Sequence, residues 1–416
     1  MIDVEKSRSR IAEDLATMMQ YTATPGNGCT RLPFTKEALE GMQALRRMMS
    51  DAGLTVKTDE AGNLFGFLIG SHPELPCVMM GSHYDSVLQG GDYDGIAGVI
   101  AGIEVARILM ESGEVFPHTF VVAAFNDEEG MRFGTGYFGS GAMLGLRDVN
   151  YCKQYKDKDG ISIYTAMQHA GLDPEKIGQT AWPKDSIAHF MELHIEQGPV
   201  LDREGLEIGL VDCIVGIKRY IATVHGQADH AGTTPMDMRR DAVEAATKVI
   251  SKIPDWAREK DDGTVATVGY VKTVPGGMNI VAERCDFTID VRSRHKENLV
   301  DISEKIKAAL EKESAAIGGS FELVHKLDVQ PVELSKDLLG ILEGAAKEYG
   351  YSYRYLPSGA GHDSLEIAPH IPTVMLFVPS RDGRSHCPEE FTDSLYFAKG
   401  VALMTRLAQE KLRRSR

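Results

Sequence analysis

The chain has 416 residues, 43% hydrophobic and 25% charged, with a formal net charge of −15. That length exceeds what one hydrophobic core usually supports, so two domains are expected. Acids outnumber bases 60 to 45, and no basic cluster is longer than the closing "KLRRSR", which reads as a solvated helix end; nucleic acid and membrane are therefore not expected partners.

The opening "MIDVEKSRSRIAEDL" carries charges where a signal peptide needs an apolar stretch, and no window approaches ~18 apolar residues. Cys29, Cys77, Cys152, Cys213, Cys285 and Cys387 include no C-x-x-C pair. Such thiols serve as small core residues in a reducing compartment, so the expected localisation is cytoplasmic.

In chain order, "EALEGMQALRRMM" spaces Leu39, Met42, Leu45 and Met49 for a helix. "DEAGNLFGFL" predicts a hairpin turning at Gly62–Asn63. "CVMMGS", "TFVVAAF" and "SIAHFMELHI" are buried-strand runs, and "GIAGVIAGIEVARILM" between the first two is an apolar helix. Strands alternating with helices indicate an α/β unit with a mainly parallel sheet flanked by helices. Its functional side chains should gather at the carboxyl ends of the strands.

After about residue 213 the texture changes. "KRYIATVHG", "TVATVGYVKTV" and "MNIVAERCDFTIDVR" alternate apolar and polar residues, as half-exposed antiparallel strands do. "DAVEAATKVISKI" and "NLVDISEKIKAALEKES" are amphipathic helices. From about residue 329 buried runs resume with "TVMLFV" and the helix "YFAKGVALMTRLAQEKL". The expected organisation is a discontinuous unit, 1–212 with 329–416, interrupted by an α+β insert at 213–328.

The chemistry concentrates in "GSHYDSVLQGGDYDG" (81–95), where Asp85, Asp92 and Asp94 crowd together behind His83 in an already acidic chain. His83 and Asp85 follow a buried strand at i and i+2, so extended backbone points both to one side. One could bind a metal while the other orients it. Taken alone, His83 reads as a hydrogen-bonded loop histidine and Asp94 as a helix N-cap. "FVVAAFNDEEGMRFG" ends a buried strand in Asp127, Glu128 and Glu129; at least one should face the rim that holds His83. "FMELHIEQGPVL" buries His194 in an apolar strand between Glu192 and Glu196, and "SRDGRSHCPEEF" sets His386 in a polar loop after "TVMLFV". Individually these are a core histidine and an unremarked loop histidine. Together they place three histidines and several carboxylates at separate strand ends of one sheet. Imidazole and carboxylate suit zinc, manganese, cobalt or nickel, and a carboxylate can bridge two ions. Cations would make the acidic cluster favourable and lower the pKa of a water held between them.

The chain resembles, over nearly its full length, the amidase, hydantoinase/carbamoylase family of the dinuclear-metal M20-type peptidase superfamily. That family includes N-carbamoyl-L-amino acid hydrolases, β-ureidopropionases and allantoate amidohydrolases. The resemblance rests on "TRLPFT" (30–35), "GSHYDSVLQGGDYDG" (81–95), "DEEGMRFG" (127–134), "ELHIEQGPVL" (192–201), "HAGTTPM" (230–236), "MNIV" (278–281), "SGAGHDS" (358–364) and "SHCPEE" (385–390). It implies a zinc-peptidase-like catalytic domain with an inserted lid and dimerisation domain. It also implies two divalent ions per subunit, zinc or else manganese, cobalt or nickel, bridged by Asp94. His83 and His194 would complete one site, Glu129 and His386 the other. Glu128 would be the general base, and Asp85 would support His83. His194 stands where peptidase cousins carry a carboxylate, which moves the reading from peptides to carbamoyl or ureido acids.

Substrate-anchoring positions match Gln197, His230, Asn279 and Arg292, with His362 nearby. In the family His230 acts across subunits, implying a homodimer. Arg292 suits a carboxylate, since guanidinium binds it in bidentate fashion; on its own it reads as a strand arginine in a surface salt bridge. Cys387, beside His386, replaces the family's usual Asn or Ser and bears on metal preference. The expected reaction is hydrolysis of an N-carbamoyl-L-amino acid to amino acid, ammonia and carbon dioxide. Allantoate hydrolysis is the alternative; an aminoacylase, a dipeptidase and a non-catalytic binding protein are less favoured.

Overall fold

The computed structural model describes residues 2–413, so the end of the expected solvated tail, 414–416, lies outside the described residues. Two compact units form, Met1–Asp212 with Glu333–Arg416, and Cys213–Val332. The second boundary falls at 332/333 rather than 328/329. The reason is a strand of the smaller unit that stays paired through Val329, opposite Ile217.

The strands before the smaller unit are β1 (Thr55–Thr58), β2 (Leu64–Leu68), β3 (Cys77–His83), β4 (Phe120–Phe125), β5 (Ile187–Ile195) and β6 (Ile208–Ile214). The smaller unit contributes β7 (Gly216–His225), β8 (Asp229–His230), β9 (Val265–Thr267), β10 (Val271–Val274), β11 (Ile280–Val281), β12 (Arg284–Ser293) and β13 (Ser320–Val329). The chain returns through β14 (Val332–Glu333), β15 (Tyr353–Ser358) and β16 (Thr373–Val378).

The larger unit holds a nine-stranded sheet in the order β1-β2-β4-β3-β5-β16-β6-β14, with β15 on β6. Its centre, β4-β3-β5-β16, is parallel throughout. Every residue of β3, β4 and β16 is buried, the expected result when helices cover both faces of a parallel block. Helix Ile96–Glu111 packs on β3 and is apolar on nearly all sides. Gly98 lets it approach, since a Cβ there would lie 2.4 Å from the Leu193 carbonyl oxygen. The β1–β2 hairpin turns through Asp59–Asn63, where the Asp59 carboxylate accepts the Ala61 and Asn63 N–H groups. Asn63 Oδ1 then accepts the Asn126 N–H at 3.1 Å, which fixes the chain as it leaves β4.

The smaller unit is an antiparallel sheet, β10-β12-β7-β13 with β9 on β12, plus the short ribbon β8–β11. Along β12, buried Cys285, Phe287, Ile289 and Val291 alternate with half-buried Asp286, Thr288, Asp290 and Arg292. Helices Ala242–Ile250 and Lys296–Ala316 complete its core with Ala246, Val249, Ile302 and Ile306. Among the described residues no helix is long and apolar enough to cross a membrane.

Candidate metal centre

The parallel strands deliver their side chains to one rim. His83 is the last residue of β3 and His194 lies at the end of β5, while Glu128 and Glu129 follow β4 and His386 follows β16. Asp94 sits in the middle. Its Oδ1 is 3.1 Å from His194 Nε2 and 3.4 Å from His83 Nε2; its Oδ2 is 3.2 Å from His386 Nε2. His386 Nε2 also lies 3.3 Å from Glu129 Oε1. Two ligand sets therefore share only Asp94: His83 with His194, and Glu129 with His386. Within each set the ligand atoms lie within 4.8 Å of one another. A third grouping joins His83 to Glu128 and Glu129, with Glu128 Oε2 3.8 Å from His83 Nε2.

The donor set fits divalent ions. His83 Nδ1 faces the Asp85 carbonyl oxygen at 3.1 Å and His194 Nδ1 the Ile195 carbonyl oxygen at 2.9 Å. Carbonyl partners on Nδ1 take the N–H of that nitrogen, so Nε2, which faces Asp94, is the nitrogen left to bind an ion once it gives up any proton. The Asp85 carboxylate is 3.6 Å from His83 Nδ1, but its principal bonds are to the N–H groups of Glu128, at 3.0 Å, and Glu129, at 3.2 Å. Asp85 thus supports both His83 and the backbone of the acidic turn.

Asp94 does not cap the helix that follows it. The N-cap is Gly95, at φ +65 and ψ −58, with no side-chain cap. A Cβ on Gly95 would lie 2.3 Å from His83 Cε1, so both backbone angle and space require glycine. Three non-glycine residues around the centre, Asp127, Gln197 and His386, also take positive φ, at 60°, 57° and 57°. Backbone strain of this kind collects at functional sites.

Electrostatics follow from crowding. Burial would raise the Asp94 carboxyl, yet bonds from His194, His386 and His83 hold it well below the usual range. Burial, reinforced by Glu129 and Asp363, holds the Glu128 carboxyl well above its usual range despite the opposing pull of His83. His386 is pushed up to about 10 by Asp94 and Glu129. His362 is driven well below its usual value by burial and by His194, whose ring centroid is 4.5 Å away; its Nε2 pairs with Ser358 Oγ at 2.8 Å.

Gln197 joins this cluster, its Nε2 donating to Asp94 Oδ2 at 2.7 Å. His230, Asn279 and Arg292 belong to the smaller unit. There β8 pairs His230 with Ile280, and the Ala231 N–H donates to the Asn279 carbonyl. His230 Nδ1 accepts the Gly232 and Thr233 N–H groups, which leaves the ring proton on Nε2. Arg292 pairs with Asp290 through Nε at 2.8 Å, the strand salt bridge that its side chain alone suggests.

Several supporting residues carry no signal in the sequence. Glu390 Oε1 accepts the Tyr93 and Asp94 N–H groups, and its Oε2 accepts Ser385 Oγ at 2.7 Å. Glu192 accepts Ser82 Oγ and Ser364 Oγ beneath the rim. Arg31, buried in "TRLPFT", donates from Nε to the Tyr84 carbonyl at 2.6 Å and braces the loop after His83.

The pattern of Peptidase family M20/M25/M40 matches residues 79–410. An N-carbamoyl-L-amino-acid amidohydrolase of Paenarthrobacter aurescens is 39% identical, with 96% of each chain covered. An allantoate amidohydrolase of Bacillus subtilis is 34% identical, covering 96% of this chain and 97% of its own. The crystal structure of a hydantoinase/carbamoylase family amidase from Burkholderia multivorans superposes with a TM-score of 0.92 at 32% identity, covering 98% of both chains. The chain belongs to peptidase family M20/M25/M40, on its hydantoinase/carbamoylase amidase branch.

Proposed function

We propose that the chain hydrolyses the N-carbamoyl group of an N-carbamoyl-L-amino acid, releasing amino acid, ammonia and carbon dioxide. The observation that carries this reading is Asp94 offering one oxygen to His83 and His194 and the other to His386. The likeness to a named N-carbamoyl-L-amino-acid amidohydrolase supplies the substrate class. His83, Asp94 and His194 would hold one divalent ion, and Asp94, Glu129 and His386 a second; zinc, manganese, cobalt and nickel all suit these donors. Such ions supply Lewis acidity for the carbamoyl oxygen and make water acidic enough to attack near neutral pH.

The chain's own residues do the remaining work. Glu128 takes the proton of the attacking water, holds it in a buried carboxyl, and gives it to the departing nitrogen. Asp85 fixes the Glu128 and Glu129 backbone, so the base stays within reach of His83. Gln197 and His362 orient the carbamoyl end, and Arg292 and Asn279 hold the carboxylate once Arg292 exchanges Asp290 for substrate. His230, with its proton on Nε2, donates to the developing oxyanion from the partner subunit of a homodimer. The cytoplasm is the proposed setting.

A second reading, hydrolysis of allantoate, is favoured by the 34% identity to an allantoate amidohydrolase. Assaying N-carbamoyl-L-amino acids and allantoate side by side, with each metal added in turn, decides between them. Turnover of allantoate alone would replace the first reading with the second, and turnover of neither would end both.

A further inference from the structure

A cavity lies within the larger unit, at the end of the same strands opposite the metal centre. It encloses 730 Å³, inside the roughly 300–1,000 Å³ of small-molecule sites. Pro76, Ile187 and Pro372 line it where β3, β5 and β16 begin, whereas the metal centre lies where those strands end. His189 of the cavity and His194 of the centre share β5, about 17 Å apart along the strand.

The lining has two parts. Trp182, Met143, Leu144 and Ile371 form an apolar wall. The indole is held in place, stacked on Phe67 with centroids 6.1 Å apart and planes within 7°, and 5.2 Å from Phe65. Lys184, Lys411, His118, His189, His370 and Asp185 supply the polar part of the lining. His118 is fixed by its Nδ1–H to the Pro76 carbonyl at 2.6 Å. Two lysines against one aspartate give this lining a positive balance in a chain whose net charge is −15.

We propose that this cavity binds a small carboxylate anion with an apolar or aromatic body, at a site separate from the metal centre. The lysines receive the carboxylate, and the Trp182 face receives the body. This inference is independent of which carbamoyl or ureido acid the centre hydrolyses.

The chain has 2 tryptophans, so Trp256→Phe leaves Trp182 as a reporter inside the cavity. That variant is titrated with 3-phenylpropanoate and with 3-phenylpropan-1-ol, its uncharged counterpart. The expected result is a saturable change in Trp182 fluorescence with Kd below about 1 mM for the anion. Binding should be at least about tenfold weaker for the alcohol, for K184A/K411A and for the charge reversal K184E. Arg292→Ala should leave the affinity for the anion unchanged. No saturable signal up to about 10 mM, equal binding of the alcohol, or loss of binding in Arg292→Ala overturns the proposal.

Discussion

Glu390 Oε1 accepts the backbone N–H of Asp94 at 3.1 Å, across 296 residues of sequence. The same oxygen holds the Tyr93 N–H at 3.0 Å, so one carboxylate sets the turn that aims Asp94 at three imidazoles. Gly91 makes room for it, because a Cβ there would lie 2.0 Å from that oxygen. Glu390→Ala leaves two N–H groups without their acceptor, at a cost of about 1–3 kcal/mol. Metal affinity should fall about 10–100-fold, as for other residues that orient ligands. Chelator competition checks it, and unchanged affinity would remove Glu390 from this role.

Glu128 is the one carboxylate of the acidic turn assigned to proton transfer rather than ligation. Glu128→Gln should lower kcat by about 10²–10⁴-fold while metal content stays at the wild-type level. Elemental analysis beside steady-state rates separates the two effects. Near-normal turnover in this variant would give the base role to another group.

Gly95 tests the steric part of the account. Gly95→Ala forces a Cβ into the space 2.3 Å from the His83 ring at φ +65. The ring must move, so stability should drop by roughly 1–3 kcal/mol and metal affinity with it. Denaturant unfolding of chelated and loaded protein measures both. A variant as stable and as metal-avid as wild type would contradict the close packing described.

His386 makes metal loading pH-dependent. Its imidazole is pushed up to about 10 by Asp94 and Glu129, so the metal-free protein keeps that proton at neutral pH. An incoming cation competes with it: affinity rises with pH, and loading releases protons. The sign for folding is opposite. The raised value stabilises the metal-free fold fully below the ordinary 6.5, and this contribution fades as pH climbs toward about 10. Calorimetric titration with zinc in buffers of different ionisation enthalpy reads the released proton. Heats independent of buffer would show that none is displaced.

Two of the candidate ligands were legible as polar residues among apolar neighbours: His83 closes "CVMMGS", and His194 interrupts "FMELHI"; Asp94, Glu129 and His386 sit in polar turns and stood out only in combination. The parallel block was legible because continuous apolar runs mark strands covered on both faces. The supporting contacts were not. Nothing local in "SHCPEE" distinguishes Glu390 from Glu389, because its partner is a backbone N–H 296 residues away. Arg31 is a charged residue in a loop motif, and only the fold reveals that it is buried. Asp85 at i+2 from His83 suggested a carboxylate–imidazole pair, yet its carboxylate bonds mainly to the turn after β4, a neighbour strand pairing brings close. β15, with only Leu356 and Ser358 buried, has too little alternation to be read as a strand. The insert's second boundary shifted because β13 and β14 are separated by only Gln330 and Pro331, too short a gap for composition to mark.

The central claim is that a single aspartate joins two cation sites. Anomalous diffraction from crystals of the protein loaded with zinc or manganese tests it most directly. The account predicts two peaks per chain, about 3.5–4 Å apart, one against each oxygen of Asp94. A lone peak, or two peaks that do not share Asp94, would contradict it.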